Sequence, residues 1–428
     1  MTWNVLELRR RKSQRVCALA AAVLSLGWAW PLRAETPLPT PLTIEDVARL
    51  AREQRPEVRA ARARAQAAAQ RPEIVSGLAD PMLMPSVEAP FMLDGVATSL
   101  FFEQEFPLSP VLSRRADVAR AEARALALQS ERVVLDVAFE AMTAFHMLWE
   151  RRENARILET QIGLARQIVA AAAARYGAGA GSQTEVLRGE AELARLEAAQ
   201  RSLVRTIAAA EAMLAATLGA EVVTPIPALV APDPGQLAQV PAGDDAVLVE
   251  ALPEVLAGDE EIRRWKAEVG AMRSMYAPMA RLQTGPVYSS EMGAGWMLMF
   301  GVSLPIWTGK LDAGVEEARA MVEMAKADRE AMRRMAASEL AQARHLVAAA
   351  HERYQALVAD VLPRMKSAAD AALASYASGQ APQVSVLEAT QTLWSLEREA
   401  VMARMELGLA RARLDRAVGA WRTSKEAP

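Results

Sequence analysis

Apolar residues three and four positions apart run along most of the chain, and two stretches keep this spacing for an unusual length. Leu135, Phe139 and Met142 fall on one stripe of the first stretch. This periodicity is typical of an amphipathic helix, and it predicts one helix from Leu112 to Tyr176 and a second from Asp312 to Tyr376. Each would measure about 97 Å at 1.5 Å per residue, far more than an ordinary globular domain needs.

Shorter helical patterns precede and follow each long one. Thr43, with Asp46 three residues later, is a suitable N-cap for an opening helix that runs to about Gln70. Helices over Gln183–Gly219 and Gln383–Gly419 follow turns that contain glycine. An opening helix and a following helix, laid end to end, match one long helix in length. We therefore expect the short helices to stack in line beside the long ones, with coiled-coil packing.

Two segments alternate apolar and polar residues instead. In Leu100–Pro107, the apolar face carries Leu100, Phe102 and Phe106, with Gln104 as a polar exception. The clearer segment has one face made of Leu298, Phe300, Val302 and Leu304, and an opposite face made of Met297, Met299, Gly301 and Ser303. One lipid-compatible face is typical of a membrane barrel strand. A half-buried strand in a soluble sheet would show the same alternation.

The stretch Met82–Phe91 is a poor strand candidate, because prolines interrupt it at positions 85 and 90, although two strands are expected in each repeat. We predict a kink in the second long helix at Pro363, because proline cannot donate a helical hydrogen bond.

The chain repeats itself once. The segment from Tyr176 to Leu187 recurs from Tyr376 to Leu387, where Tyr, Gly, Gln, Val and Leu coincide at an offset of 200 residues. An internal repeat fixes the architecture. We predict a first structural repeat at 35–219 and a second at 244–419, joined by a proline-rich linker at 220–243 and followed by a tail at 420–428.

The N-terminus has the features of an export signal. A basic segment, Arg9 to Arg15, precedes the apolar run Val16–Trp30, and Ala34 is a small residue suited to cleavage. Removal of residues 1–34 would take away six basic side chains and one acidic one, so the net charge would fall from −3 to −8. Cys17, the single cysteine, would leave as well, which excludes a thiol nucleophile or a disulfide.

Composition removes several other classes of function. The charge shows no basic excess, so nucleic acid is not expected as a partner. No constellation of residues supports catalysis, and we assign neither a catalytic residue nor a cofactor. The three histidines are poorly spaced for a metal site. Methionine is abundant, at 20 residues, and thioethers are soft ligands suited to Cu(I). Methionine also fills irregular apolar space, and that interpretation is preferred here, so no metal ligand is assigned.

These features, taken in order along the chain, resemble those of the TolC-type outer-membrane efflux channels. The resemblance is carried by Tyr176-x-x-Gly179 with Val186-Leu187, by Tyr376-x-x-Gly379 with Val386-Leu387, and by the corners Phe106-Pro107-Leu108 and Leu304-Pro305-Ile306. It implies a mainly α fold with a membrane β-barrel. Three chains would form a 12-stranded barrel in the outer membrane, continued by a periplasmic α-helical tunnel. The face from Leu298 to Leu304 would then contact outer-membrane lipid.

The resemblance also implies a function, that of a passive exit duct and not an enzyme. A homotrimer would receive substrates from an inner-membrane efflux pump through a periplasmic adaptor protein. The adaptor would contact the tip turns at Tyr176, Gly177, Gly179, Leu187, Tyr376, Gly379 and Leu387. Glu388 and Ser385 stand where the family carries acidic gate residues. Glu388 keeps an acid that would attract cations at a narrow pore, whereas Ser385 does not. Glu388 could equally be a solvated residue of the helix surface.

One alternative stays open at this stage. A periplasmic coiled-coil scaffold without a channel would account for the helices equally well. It would leave the alternation around Phe300 and the flanking Trp296 and Trp307 unexplained. Those tryptophans suit a membrane–water interface, although in a soluble protein they would belong to the core.

Overall fold

A computed structural model describes residues 38–88, 96–220, 225–241 and 243–421. The predicted export signal at 1–34 lies outside the described residues, as do Cys17, Phe91, Met92 and all but two residues of the predicted tail at 420–428. The elements reported below belong to one unit, Pro39–Pro428.

Helices and strands follow each other in the same order in both halves. The strands are β1 (Leu42–Thr43), β2 (Met82–Glu88), β3 (Ala97–Pro107), β4 (Leu229–Val230), β5 (Met279–Ser289) and β6 (Gly293–Ser303). The helices are α1 (Ile44–Gln54), α2 (Pro56–Ser76), α3 (Val111–Gly177), α4 (Gln183–Thr217), α5 (Pro234–Leu237), α6 (Asp245–Glu250), α7 (Pro253–Ser274), α8 (Thr308–Gln355), α9 (Leu362–Ala377) and α10 (Gln383–Ala417). Within the described ranges, no helix combines the length and the apolar character that crossing a membrane requires.

The opening helix begins as predicted but is divided in two. The Thr43 hydroxyl oxygen accepts a hydrogen bond from the Asp46 amide at 3.2 Å, which confirms the N-cap. Arg55 then leaves the helical conformation, with ψ at 133°, because proline at position 56 disfavours a helical residue before it. The second piece, α2, continues to Ser76 with Pro72 inside it, so the predicted end at Gln70 was wrong.

The first long helix is confirmed, since α3 runs for 67 residues and passes through Gly163 without interruption. The second is continuous from Thr308 to Ala377, but it widens into π-helical geometry over Ala356–Val361, between α8 and α9. Pro363 follows at once. Proline has no N–H to donate, and a π-helical bulge is one way a helix absorbs such a defect.

The π-helical segment also accounts for a discrepancy between the repeats. The start of α3 at Val111 and the start of α8 at Thr308 are 197 residues apart, whereas the ends at Gly177 and Ala377 are 200 apart. The three extra residues of the second repeat therefore lie within its long helix. A π-helix holds more residues per turn than an α-helix, so part of this insertion is taken up there.

Packing confirms the in-line arrangement of the short helices. The long helix α3 packs against both α2 and α4, and they meet different parts of it: Arg71 of α2 pairs with Glu122, and Glu197 of α4 pairs with Arg166. Helix α3 also contacts α7 and α10, and these two helices pack against α8. Alanine occupies many of the buried positions on α3, among them Ala138, Ala141 and Ala144. Such small side chains let neighbouring helix backbones approach closely.

One such approach brings a histidine against a glycine. His146 is buried on α3, and its ring lies directly over Gly408 of α10. Burial lowers the pKa of His146 to about 4, with a smaller contribution from the Arg404 charge, so the ring is neutral at pH 7.

This contact gives a matched pair of substitutions. A methyl group at position 408 would clash with the His146 ring, so we expect Gly408→Ala to destabilise the protein by about 1–3 kcal/mol. Gly163 is also in a helix, but no atom lies within 4 Å of its missing Cβ. Gly163→Ala should stabilise by up to about 1 kcal/mol through helix propensity alone. Thermal unfolding of both variants checks the pair, and a higher Tm for Gly408→Ala would contradict the close approach.

The linker between the repeats packs onto the helices as an extended chain, as its proline content predicts. Ile226 and Leu237 are buried. Arg152 of α3 donates hydrogen bonds to the carbonyl oxygens of Pro227 at 2.6 Å and Ile226 at 2.8 Å. The linker itself contains β4, which pairs in parallel with β1, and the short helix α5.

The four longer strands form one antiparallel sheet in the order β2–β3–β5–β6. Met82–Phe91, a poor strand candidate in the sequence, does contain a strand, because Met82–Glu88 is β2. Its proline is tolerated because β2 is an edge strand of the described sheet. The backbone groups on its outer side have no partner strand within the chain, so a missing N–H costs no hydrogen bond there. Position 90 and Phe91 lie outside the described residues.

Candidate functional site

The far end of the long helices is closed by two turns of the same geometry. Gly179 has a φ of +72°, in the left-handed region that favours glycine. Its amide donates to the Tyr176 carbonyl oxygen at 3.0 Å, and the Ala180 amide donates to that of Arg175 at 2.9 Å. This pair of bonds defines a Schellman motif, which ends a helix and turns the chain. The second tip repeats both bonds around Gly379, where φ is +77°.

The equivalent tyrosines of the two tips have different surroundings. Tyr176 is 50% exposed, whereas Tyr376 is 3% exposed and packs with Ile168 and Val386 in a small apolar cluster. Leu387 packs against the same cluster. Of these two predicted adaptor contacts, Tyr376 is therefore covered by the chain itself in this structure, and Leu387 is partly covered.

Arg175 of the first tip joins the two tips. Its Nη1 donates a hydrogen bond to the Tyr376 carbonyl oxygen at 2.9 Å, and its guanidinium lies 4.8 Å from the centre of the Tyr376 ring. A cation over an aromatic face is attracted by the ring quadrupole. The Tyr376 hydroxyl has no hydrogen-bond partner among the described residues, and burial raises its pKa.

Sequence reasoning missed Arg175, although a signal was present. In the sequence repeat, Ser375 is the residue that corresponds to Arg175, so the arginine occurs in one tip only. An arginine that is present in only one of two repeated turns indicates that the two turns have different contact partners.

The other predicted tip residues are accessible. Leu187 is exposed on α4, and Gly177 ends α3 with open space around its missing Cβ. Ser385 and Glu388 are both exposed in the first turns of α10. Residues three apart on a helix are neighbours on its surface, so Ser385 and Glu388 present one polar edge. Whether that edge lines a gate stays a prediction.

The second candidate region is the sheet, whose two faces differ in chemistry. On β6, Leu298, Phe300 and Val302 all lie on one face and are exposed, with Phe300 at 76%; Leu304, just beyond the strand, is exposed too. The register places Leu282 opposite Phe300. Further exposed apolar residues continue this face on the other strands: Leu83, Val87, Leu100, Phe102, Phe106 and Tyr288.

Two polar groups on the apolar face are satisfied within the chain. Gln104, the exception noted in the sequence, donates to the Ala79 carbonyl oxygen at 2.8 Å. The Trp296 indole N–H donates to the Thr284 hydroxyl oxygen at 2.8 Å. Trp296 is 72% exposed and Trp307 is 77% exposed, so neither belongs to the core of the chain.

The opposite face of the sheet is polar and carries an ion-pair cluster. Arg281 lies 3.1 Å from a Glu103 carboxylate oxygen and also pairs with Glu105. Gln283 and Ser99 share this face. One side of the sheet is thus suited to lipid and the other to water. Over the described ranges, no group of three His, Cys, Asp or Glu side chains could hold a metal ion.

Comparison with known proteins agrees with these features. Residues 253–420 match the family model described as outer membrane efflux protein. No curated protein sequence matches the chain.

Solved structures of outer-membrane channels are similar over most of the chain. The outer membrane protein VceC of Vibrio cholerae is 18% identical over 88% of this chain and 96% of its own, with a TM-score of 0.73. The Campylobacter jejuni channel CmeC is 16% identical over 90% and 87%, with a TM-score of 0.75. The Neisseria gonorrhoeae channel MtrE, in its open state, is 18% identical over 88% of both chains, with a TM-score of 0.70.

These likenesses establish a fold shared along nearly the whole described chain. Residues 253–420 are similar to the outer membrane efflux protein family, and the fold of the chain is that of the solved outer-membrane channels.

Proposed function

We propose that this chain is the outer-membrane exit duct of a tripartite efflux system. It would pass substrates passively out of the cell, and its place would be the outer membrane with a large periplasmic portion. The observation that carries the proposal is a two-faced sheet joined to helices of great length. The exposed apolar face around Phe300 is suited to lipid, and the ion pairs around Arg281 are suited to an aqueous lumen.

The sheet is open at both edges within one chain. Strands β2 and β6 each have one neighbour in the described sheet, which leaves a row of backbone donors and acceptors unpaired. In lipid, such groups must be satisfied by another strand. Three copies, each giving four strands, would close a 12-stranded barrel, and their helices would continue it as a tunnel.

The remaining partners follow from the tips. A periplasmic adaptor would contact the exposed surface near Tyr176 and Leu187, and an inner-membrane pump would supply the energy. Three copies of Glu388 would face the closing aperture with Ser385 beside them, and a ring of carboxylates at a narrow pore attracts cations.

The first experiment is the mass of the protein extracted in detergent from the outer-membrane fraction. The proposal expects a trimer there. A soluble periplasmic monomer or dimer would contradict it and would favour a coiled-coil scaffold. Such a scaffold would leave the exposed apolar face of the sheet unexplained.

The tip glycines give a prediction for adaptor coupling. Valine at position 179 would be held at positive φ, which strains an L-residue by about 1–2 kcal/mol, and the Schellman bonds should loosen. We expect Gly179→Val to lower cross-linking to the co-expressed adaptor several-fold. Gly179→Asn is the control, because asparagine enters this conformation more readily. Equal cross-linking of both variants and the wild type would count against the tip as the docking site.

A further inference from the structure

A groove runs along one face of α7, between α3 and α8. The helices α3 and α8 both pack against α7, and the groove between them has a volume of about 540 Å³. On α7 it is lined by Glu254, Gly258, Glu261 and Trp265, whose spacing of three and four residues places them on one helix face. A cavity of this size suits a small organic molecule.

Part of the groove is formed where α8 approaches α7 closely. The Arg329 side chain lies against Gly258, where an added Cβ would come within 2.8 Å of the arginine Cγ. Arg329 then pairs with Asp259 at 3.1 Å and also with Glu250. Neither of these acids lines the groove. The positive charge of Arg329 is therefore balanced from outside the groove.

The walls of the groove are largely apolar. Met324 and Met332 of α8 line it together with Trp265, and Met324 is 44% exposed. Methionine side chains are flexible and adapt to the shape of a ligand. The Trp265 ring already holds one cation, since the Arg264 guanidinium lies 4.6 Å from its centre. These walls suit a molecule that combines an apolar body with a positive charge.

Charged side chains line the groove as well, and the acids outnumber the bases. They are Asp136, Glu254, Glu261, Asp328, Arg132 and Arg329. Asp136 pairs with Arg416 at 2.7 Å and with Arg132 at 3.8 Å. Glu261 pairs with Arg264 at 2.9 Å. These two acids are therefore neutralised by arginines.

The other two acids have no such partner. Asp328 is exposed and forms no ion pair or side-chain hydrogen bond within the described ranges. Glu254 is attracted by Arg416 but forms no ion pair with it, and the buried Oε2 atom of Glu254 accepts no hydrogen bond in the described part of the chain. An uncompensated carboxylate beside an aromatic wall is an arrangement that recognises an organic cation.

We propose that this groove binds an amphipathic organic cation. Its apolar body would pack against Trp265 and the two methionines, and its charge would lie near Asp328. An anion would be repelled by the two uncompensated carboxylates, and a neutral molecule would gain nothing from them. The proposal goes beyond the exit duct and does not depend on it, because every residue of the groove belongs to one chain.

The test compares two ions of the same shape and opposite charge, tetraphenylphosphonium and tetraphenylborate. Their binding to the detergent-solubilised protein is measured by equilibrium dialysis, with the same detergent in the opposite chamber and native mass determined on the same sample. Tetraphenylphosphonium should bind once per chain and about tenfold more tightly than tetraphenylborate. Added NaCl should weaken this binding, because salt screens the attraction between partly exposed charges.

Two substitutions in the groove test the two parts of the recognition. Trp265→Leu keeps an apolar wall and removes the aromatic face, so the affinity for tetraphenylphosphonium should fall about tenfold. Asp328→Asn removes the charge with little change of shape. It should lower the affinity about threefold, because the carboxylate is exposed to water. The double variant should lose about thirtyfold if the two contributions are independent.

Glu317→Gln is the matched control. Glu317 is an exposed acid of the same helix as Asp328, without an ion pair in the described part of the chain, and it lies outside the groove. This variant should bind tetraphenylphosphonium as the wild type does. Equal binding of both ions, no binding of the cation above the detergent background, or unchanged affinity in Asp328→Asn would overturn the proposal.

The native mass keeps this result separate from the proposed function. Binding by a monomer would support the groove site and count against the duct. A trimer that binds no cation would leave the duct proposal standing and remove the groove site. If Trp265→Leu fails to fold, Asp328→Asn decides the question, because an exposed side chain on a helix surface can be replaced without loss of packing.

Discussion

Replacing Phe300 by arginine should prevent assembly of the protein in the outer membrane. Phe300 is 76% exposed near the middle of β6, between Leu298 and Val302 and opposite Leu282. An arginine at the lipid midplane costs about 2–4 kcal/mol per side chain. A trimer would carry three of them, so the trimeric, membrane-embedded fraction should fall at least a hundredfold. The measurement is the amount of trimer in the outer-membrane fraction.

Met299→Arg is the matched control, since Met299 is the next residue on the same strand and faces the other way. Substitutions on the lumen side of a barrel tune selectivity and leave insertion largely intact. We expect Met299→Arg to assemble at close to the wild-type level. Normal insertion of Phe300→Arg, or equal failure of both variants, would mean that this face does not meet lipid.

Removal of the Arg175 side chain should separate the two tips. Arg175 is the link between the first tip and the Tyr376 backbone, through one charged hydrogen bond and one cation–π contact. A hydrogen bond to a charged group contributes about 1.5–3 kcal/mol, and a cation–π contact about 0.5–2 kcal/mol according to its burial. Arg175→Ala should therefore raise ion conductance in planar bilayers at least tenfold if the tips gate the duct.

The Tyr376→Phe variant tests whether the tyrosine hydroxyl contributes to the contact between the tips. That hydroxyl has no partner in the described part of the chain, so its removal should leave conductance unchanged. The phenyl ring and the backbone carbonyl that Arg175 uses would both remain. Wild-type conductance in Arg175→Ala would show that the closed state is held elsewhere, and a large rise in Tyr376→Phe would mean that the hydroxyl has a partner in the trimer.

The parts of the fold that were predictable from the sequence are those fixed by local chemistry. The 3.6-residue period marks α3 over its whole length, and glycines that must adopt positive φ mark both tips. Strand β2 was a poor candidate in the sequence because proline in a strand is confined mostly to edges and bulges. Being at an edge is a property of the sheet order, and residues 82–88 alone do not encode it.

The candidate site divides in the same way. Leu298, Phe300 and Val302 were placed correctly on one face, because alternation along a strand is local. Tyr176 and Tyr376 were treated alike, since their sequence surroundings repeat. In the structure their surroundings differ, because only Tyr376 is enclosed by Ile168 and Val386. Which of the two tyrosines is enclosed depends on helix packing.

We call the π-helical segment Ala356–Val361 the joint of the second long helix. The first long helix, α3, contains no such segment. Helix α3 reaches its tip without interruption. Helix α9 extends beyond the joint for 16 residues, a length of about 24 Å at 1.5 Å per residue. A bend of about 10° at the joint would swing Gly379 by roughly 4 Å, about the width of a strand spacing. We therefore expect the second hairpin of each chain to bend more readily than the first, with Arg175 of the first hairpin hydrogen-bonded to the tip of the second.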